Sequence, residues 1–257
     1  MWHPVYDLCV YHTPDYSIIV PAYNEEAQLA RTLPAMLDAM RGVEAVGELI
    51  VVDNNSSDAT AQIAKQHGAA VVFEPVNMIA KARNAGAAAS SGLKLIFVDA
   101  DTTPSAELIG AALEALDDPG CCGGGARVVL DPLPGWLTRR MLGLWNLISR
   151  LFGYPAGCFF YCRRDGFEEV GGFSEAVYAS EEIWLARRLK KWGRSKRMRL
   201  RILPIGVLSS ARKTDDTARM LGMLLLMFVF PFAVRFRGLC GYWYKRDAES
   251  AESGKSA

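Results

Sequence analysis

The sequence predicts an α/β protein: a mostly parallel sheet with helices on both faces. Three observations carry that expectation. Short uncharged apolar runs of strand character alternate with helix-patterned segments through the first half of the chain, and parallel strands buried on both faces read as continuous hydrophobic runs. Polar clusters follow three of these runs, at residues 21–26, 53–58 and 99–101, and open α/β sheets bind ligands at the carboxyl ends of their strands. Finally, the 257 residues are 51% hydrophobic with a net charge of +1. That composition supports a sizeable core and argues against a nucleic-acid partner.

In order, residues 17–20 form the first strand. Asn24 is placed to cap a helix opening with Glu25 and Glu26, acids that suit a positive helix N-terminus. Pro34 is expected to kink or split that helix. Residues 48–52 form the second strand; Ser57 caps the next helix and Gly68 ends it. Residues 70–73 form the third strand, followed by an Ala-rich helix at 79–90. Residues 93–98 form the fourth, after which Thr103 caps a helix with Pro104 at its first position. Residues 15–118 thus read as a Rossmann-like nucleotide-binding half. The GxGxxG fingerprint is absent after every strand, and the glycines of 120–125 have another spacing, which disfavours a nicotinamide or flavin enzyme.

The second half, 119–217, is less regular. Residues 133–152 read as a helix in which Trp136, Trp145 and Phe152 stand among Arg139, Arg140 and Arg150. Ser180 caps a helix over 181–192 stopped by Gly193, and residues 198–203 alternate like a strand. Residues 1–14 read as an extended arm without the basic start of a signal peptide, and residues 246–257 as a small, polar, disordered tail. The six cysteines (Cys9, Cys121, Cys122, Cys158, Cys162 and Cys240) show no CxxC pair and no zinc rhythm. This usage fits a reducing, cytoplasmic location.

The stretch Leu95-Ile96-Phe97-Val98-Asp99-Ala100-Asp101 ends an apolar strand in two carboxylates at i and i+2, which leave an extended backbone on one face. They repel each other, and a hard divalent cation such as Mg²⁺ or Mn²⁺ would relieve that repulsion while bridging to a phosphate. The other reading is a solvated turn before a helix. Tyr23 is placed to stack on a nucleobase or to fill the core edge. Asp53 ends a buried strand, where an unpaired carboxylate is costly; a base N–H such as that of uracil would partner it, or it caps a helix. Arg83 presents a planar fork to a base or diphosphate, or makes a surface ion pair. Glu181 and Glu182 open a helix, a place that stabilises ionised carboxylates; they read as a candidate base or as an ordinary acidic helix start.

Six segments in order resemble the family 2 glycosyltransferases: IIVPAYNEE, VVDNNSSDAT, ARNAGAAASSG, FVDADTTP, PAGCFFYCRRDGFEEVGGFSE and SEEIWLARRLKKWG. The resemblance spans about residues 15–215 and implies the GT-A fold. It implies transfer of a sugar from a UDP- or GDP-sugar donor to an acceptor hydroxyl, with Mg²⁺ or Mn²⁺. By resemblance, Pro21, Tyr23, Glu25, Asp53, Arg83 and Asp99 lie on the donor. Asp101 is then the direct metal ligand, with Asp99 near the ribose and metal. The family's base aligns with Glu182 of the Glu181-Glu182 pair; the family usually has Glu-Asp there, so this side chain is one methylene longer. In-line attack assisted by such a base inverts the anomeric centre. The Gln-x-x-Arg-Trp motif of processive synthases is absent, which implies transfer of one sugar at a time. Arg212 or Lys213 follows the last strand, placed to close on the diphosphate or to be a solvated loop charge. Two alternatives stay open: a nucleotidyltransferase acting on a sugar phosphate, and a catalytically degenerate nucleotide-sugar-binding protein.

Residues 221–234 form an uncharged run too short to span a bilayer and containing Pro231. Arg219, Arg235, Arg237, Tyr242, Trp243 and Tyr244 surround it, flanks that suit a membrane interface, and the Trp/Arg-rich segment at 133–152 suits the same surface. The other reading of 218–245 is an apolar helix packed on the domain or in a homodimer interface. A lipid-linked acceptor would explain an enzyme held at the cytoplasmic face of a membrane.

Overall fold

The structure, a computed structural model, describes residues 13–132 and 135–211. The Arg212/Lys213 flap, the apolar run at 221–234, most of the N-terminal arm and the C-terminal tail lie outside the described residues.

The chain runs β1 (Tyr16–Ala22), α1 (Glu26–Arg41), β2 (Gly47–Asp53), α2 (Thr60–Gln66), β3 (Ala70–Phe73), α3 (Ile79–Ala89) and β4 (Lys94–Val98). It continues through β5 (Thr102–Thr103), α4 (Ala106–Asp117), β6 (Cys121–Asp131), α5 (Trp136–Phe152), β7 (Phe159–Arg163), α6 (Arg164–Glu169), α7 (Glu181–Ser195) and β8 (Arg199–Ser210). The strands form a single eight-stranded sheet in the order β3-β2-β1-β4-β7-β6-β8-β5. The apolar alternation of β1 divides the core. Ile18 and Val20 face Leu29, Leu33 and Met36 of α1 and Leu108 of α4. Ile19 faces Ala82 of α3 and belongs to the same cluster as Leu185 and Leu189 of α7. Helices therefore cover both faces, as period-two strand patterning requires.

The sheet is more mixed than the sequence suggests. β3, β2, β1 and β4 are mutually parallel, and β6 runs parallel to β8. β7, however, lies antiparallel to both β4 and β6, and β5 antiparallel to β8. β7 enters from the rim where β4 ends, with Val98 opposite Phe159, and so must run back.

Several local expectations are corrected by tertiary partners. Pro34 does not split α1, which is unbroken through it; burial of Leu29, Leu33 and Met36 holds the helix on the sheet. Asn24 does not cap α1. It adopts φ 51 and its side chain accepts from the Ser57 N–H at 2.8 Å. Ser57 in turn does not cap α2, whose Thr60 N–H donates to Asp58 Oδ1 at 3.0 Å. Thr103 belongs to β5, and Ser105 caps α4 by accepting from the Leu108 N–H at 3.2 Å. Gly193 does not stop α7, which runs to Ser195; a Cβ there would stand 2.9 Å from the Met198 carbonyl oxygen. The last strand extends seven residues beyond the expected 203, to Ser210. The glycine run of β6 serves close strand approach, because a Cβ on Gly124 would lie 1.7 Å from the Arg201 carbonyl oxygen.

Candidate active site

Because β1, β2 and β4 are parallel, their carboxyl ends share one rim. That rim carries Tyr23 and Glu25 after β1, Asp53 at the end of β2, and Asp99 and Asp101 after β4. β1 lies between the other two, which sets Asp53 and Asp99 two strand spacings apart, roughly 10 Å. Pro21, half-buried, sits opposite Val52 in the sheet. Asp53 is buried and its Oδ1 accepts from the Ser56 N–H at 2.9 Å. Neighbouring Asn54 braces the rim: its side chain donates to the carbonyls of Glu74 and Val76 and accepts from the Met78 N–H. Glu25 is also buried, and its N–H donates to Thr60 Oγ1 at 2.8 Å.

The turn carrying the two aspartates is held from two sides. The Thr32 hydroxyl of α1 donates to the Ala100 carbonyl at 2.8 Å, and the Ser210 N–H at the end of β8 donates to the Asp101 carbonyl at 3.1 Å. Asp101 is buried. The Cys158 thiol lies close enough to both carboxylates that burial, then Asp99 and Asp101, push its pKa up.

Arg83 is the centre of the arrangement. The face of α3 that packs on the sheet is made of small residues, and a Cβ on Gly86 would stand 2.4 Å from Ile19 Cγ2. Arg83 lies three residues earlier on that face and is carried inside, 2% exposed. Nη1 donates to Glu181 Oε1 at 2.8 Å. Nη2 donates to Asp99 Oδ1 at 2.9 Å and to the Gly157 carbonyl at 2.8 Å. The guanidinium stands 5.1 Å from the Phe173 ring centroid. The surface ion pair weighed from sequence is therefore a buried one. Burial alone would lower the Arg83 pKa, but Asp99, Glu181 and Glu182 outweigh it and hold the group charged. Asn84, next in sequence, clamps the same neighbourhood by donating to the Phe173 carbonyl and accepting its N–H.

The paired glutamates at the start of α7 separate in role. Glu181 is buried and bound to Arg83; burial raises its pKa, Arg83 lowers it and Asp99 raises it again, with a net rise. Glu182 lies across Gly157, where a Cβ would come 3.5 Å from both its carboxyl carbon and Arg83 Nη2. Burial and then the Glu181 charge raise its pKa from 4.5 to about 8, against the pull of Arg83. Gly157, Phe173, Asn54 and Asn84 escaped sequence reasoning as site residues, although the PAGCFF, GGFSE, DNN and ARNAG segments contained them. Arg212 lies one residue beyond the described part of the chain.

A family model described as Glycosyl transferase family 2 matches residues 17–171. The chain belongs to glycosyltransferase family 2. Glycosyltransferase AglE of Haloferax volcanii is 26% identical over 196 residues, 71% of this chain and 63% of that protein. An uncharacterized glycosyltransferase of Mycobacterium tuberculosis is 40% identical over 85 residues, 33% of this chain and 36% of that one. The chain thus spans less than two thirds of these relatives' length. Among solved structures, the Pyrobaculum calidifontis mannosyltransferase PcManGT in complex with GDP-Man and Mn²⁺ aligns with a TM-score of 0.62, at 19% identity over 89% of this chain and 64% of that one. Glucosyl-3-phosphoglycerate synthase of M. tuberculosis, with Mn²⁺, UDP-Glc and phosphoglyceric acid, aligns at TM-score 0.60 and 20% identity over 91% of this chain and 82% of that one. The fold is the GT-A fold of the family.

The donor set can be tested against the metal that such neighbours bind. Among the described residues no group of three or more His, Cys, Asp or Glu side chains gathers as an all-protein cage. Mg²⁺ and its analogues do not need one, since one or two carboxylates plus substrate phosphates suffice. Asp101 with Asp99, two oxygen donors at the strand end, fits that requirement.

The Glu182 shift has a stability consequence. Its folded pKa lies above the unfolded value of 4.5, so the folded state holds the proton more tightly and folding loses free energy as pH rises from about 4.5 through about 8. Glu182→Gln removes that loss. In metal-free buffer the variant is expected to melt at least about 2–4 °C above the wild type at pH 8.5, the shift about 1 kcal/mol gives a domain of this size. The gain should vanish near pH 4.5. Equal melting points across that range would contradict the raised pKa.

Proposed function

We propose that this chain is a metal-dependent glycosyltransferase that moves a single sugar from a UDP- or GDP-sugar to an acceptor hydroxyl with inversion. One observation carries the reading most: Arg83 bonds Asp99 on the donor rim and Glu181 on the helix that bears Glu182. A single buried guanidinium so ties the nucleotide-binding half, 15–118, to the acceptor half, 119–217. The nucleoside lies over β1 and β2, against Pro21, Tyr23, Glu25 and Asp53. Asp101 and Asp99 would hold the Mg²⁺ or Mn²⁺. When bound, that ion neutralises charge on the leaving diphosphate.

Glu182 takes the proton of the acceptor hydroxyl. The hydroxyl oxygen bonds to the anomeric carbon as the bond from that carbon to the phosphate oxygen breaks, and the nucleoside diphosphate leaves. A raised pKa makes Glu182 a stronger base than an exposed glutamate, and Glu181, committed to Arg83, acts as a positioning residue. β8 delivers the chain to Arg212 and Lys213 from beside Asp101, since the Ser210 N–H is bonded to the Asp101 carbonyl; this supports a role for one of them on the diphosphate.

Calorimetry with UDP and with GDP, each with and without Mn²⁺, tests the reading. Mn²⁺ is expected to tighten one of the two nucleotides by at least about tenfold, and Asp101→Asn should remove that increment. The same Mn²⁺ enhancement in the variant would reject Asp101 as the ligand.

A further inference from the structure

α5 is amphipathic in the unusual sense that its apolar side faces away from the protein. Its buried residues are Thr138 and Ser149. Leu142 and Trp145 are half-buried beside them, and the hydrogen bonds on this side are the Asn146 side chain accepting from the Val128 N–H and donating to the Val128 carbonyl, each at 3.0 Å, and the Ser149 hydroxyl donating to the Tyr154 carbonyl at 2.7 Å. On the opposite side Leu137, Leu144, Leu147 and Leu151 are 42%, 58%, 53% and 69% exposed, and Trp136 and Phe152 at the two ends are 69% and 61% exposed. At 100° per residue these six fall on one stripe along the whole helix. Arg139 and Arg150 line one margin of the stripe and Arg140 stands within it, while α5 contains no acidic residue.

We infer that this face of α5 seats the protein on an anionic lipid surface. An apolar stripe with aromatic ends, two arginines at its margin and one within it, and no acidic residue on the helix, is the pattern of a helix lying in the headgroup region, the long arginine stems reaching to the headgroups. Each arginine gains from anionic headgroups. A second copy meeting this face with its own would set arginine against arginine. No helix among the described residues is long and apolar enough to cross a bilayer, so α5 lies on the surface. The helix leaves β6 and returns through Tyr154 to Gly157, whose carbonyl holds Arg83. This short connection keeps the docked helix close along the chain to the Arg83 cluster, and a lipid-linked hydroxyl is the acceptor such a surface would present. The inference needs no transferase activity to be tested.

The experiment is co-sedimentation of the full chain with vesicles of phosphatidylglycerol and phosphatidylcholine (1:1) and of phosphatidylcholine alone. Binding is expected to favour the anionic vesicles and to weaken with salt. Leu144→Glu combined with Leu147→Glu should cut partitioning by at least about tenfold, with the melting point unchanged because both side chains are exposed. Arg139→Gln with Arg150→Gln should reduce the anionic preference. Undiminished partitioning of the leucine variant, or no wild-type binding to either vesicle, overturns the inference. It is equally overturned if the leucine variant melts many degrees lower, which would mean that the chain covers this face itself. Conversion of a dimer to a monomer would likewise overturn it, assigning the face to a second copy.

Discussion

Glu182→Gln is expected to lower sugar transfer by about 10²–10⁴-fold, the usual contribution of a positioned general base, while donor affinity stays within about twofold of the wild type. Glutamine keeps the shape of the side chain but cannot accept the hydroxyl proton. Glu181 cannot take over, because it is 5% exposed and bonded to Arg83. Loss in the chemical step alone, read by single-turnover transfer beside calorimetric donor binding, separates a base from a donor ligand. Wild-type kcat/KM for acceptor should rise with pH as the Glu182 carboxyl, held above its ordinary range by burial and by Glu181, gives up its proton. Glu182→Asp should retain part of the activity with the carboxylate drawn back by one methylene. Near-normal transfer by Glu182→Gln, with Glu181→Gln inactive, would move the base one residue back.

Strands β1, β2 and β4 were legible because each is a mostly buried apolar run, and that run survives whatever its neighbours do; β3, at the sheet edge with Phe73 exposed, was legible from its short apolar run alone. The helix caps were not. Asn24, Ser57 and Thr103 all have the right chemistry, but each stands beside another polar residue, and contacts between loops decide which one faces the helix end: Asn24 reaches Ser57, 33 residues away. The glycines of β6 gave no readable signal either, since the need for them comes from segments much later in the chain: Tyr161 and Cys162 against Gly123, Arg201 against Gly124 and Pro155 against Gly125. At the site, the i, i+2 spacing predicts Asp99 and Asp101 on an extended backbone, but β4 ends at Val98 and the two stand in a turn closed by the Thr102 N–H donating to the Asp99 carbonyl at 3.0 Å; their place after the strand was readable because it is local, their shared face was not. The relation of Arg83 to Glu181 spans 98 residues, and only the fold shows that it is an internal clamp. One sequence signal pointed inward: Arg83 sits among Ala80, Ala82, Gly86 and Ala87, all buried on α3, in a helix too small-sided to face water. The adjacency of Glu181 and Glu182 likewise hid their difference, because consecutive helical residues point in different directions.

The largest stability effect is expected from Arg83→Met, a loss of about 3–5 kcal/mol, or roughly 6–20 °C in melting point for a domain of this size. The substitution keeps the length of the stem and removes the charge, leaving Glu181 buried with its cation gone, Asp99 without a donor and the Gly157 carbonyl without the Nη2 hydrogen bond. Glu181 would then take up a proton to escape an unpaired buried charge, so the loss should shrink as pH falls towards the ordinary carboxylate range. Arg83→Lys should recover little, because one ammonium cannot reproduce the two-pronged geometry that spans Glu181 and Asp99. Pairing Arg83→Met with Glu181→Leu removes both buried charges together and should restore a substantial part of the stability, as buried ion pairs replaced by apolar residues often do. Transfer should stay low in that double variant even so, since Glu182 loses both the anion beside it and the cation across Gly157 that set its proton affinity. A single variant within about 1 kcal/mol of the wild type would mean that Arg83 is solvated and free for the donor, and the clamp between the donor rim and the base helix would have to be abandoned.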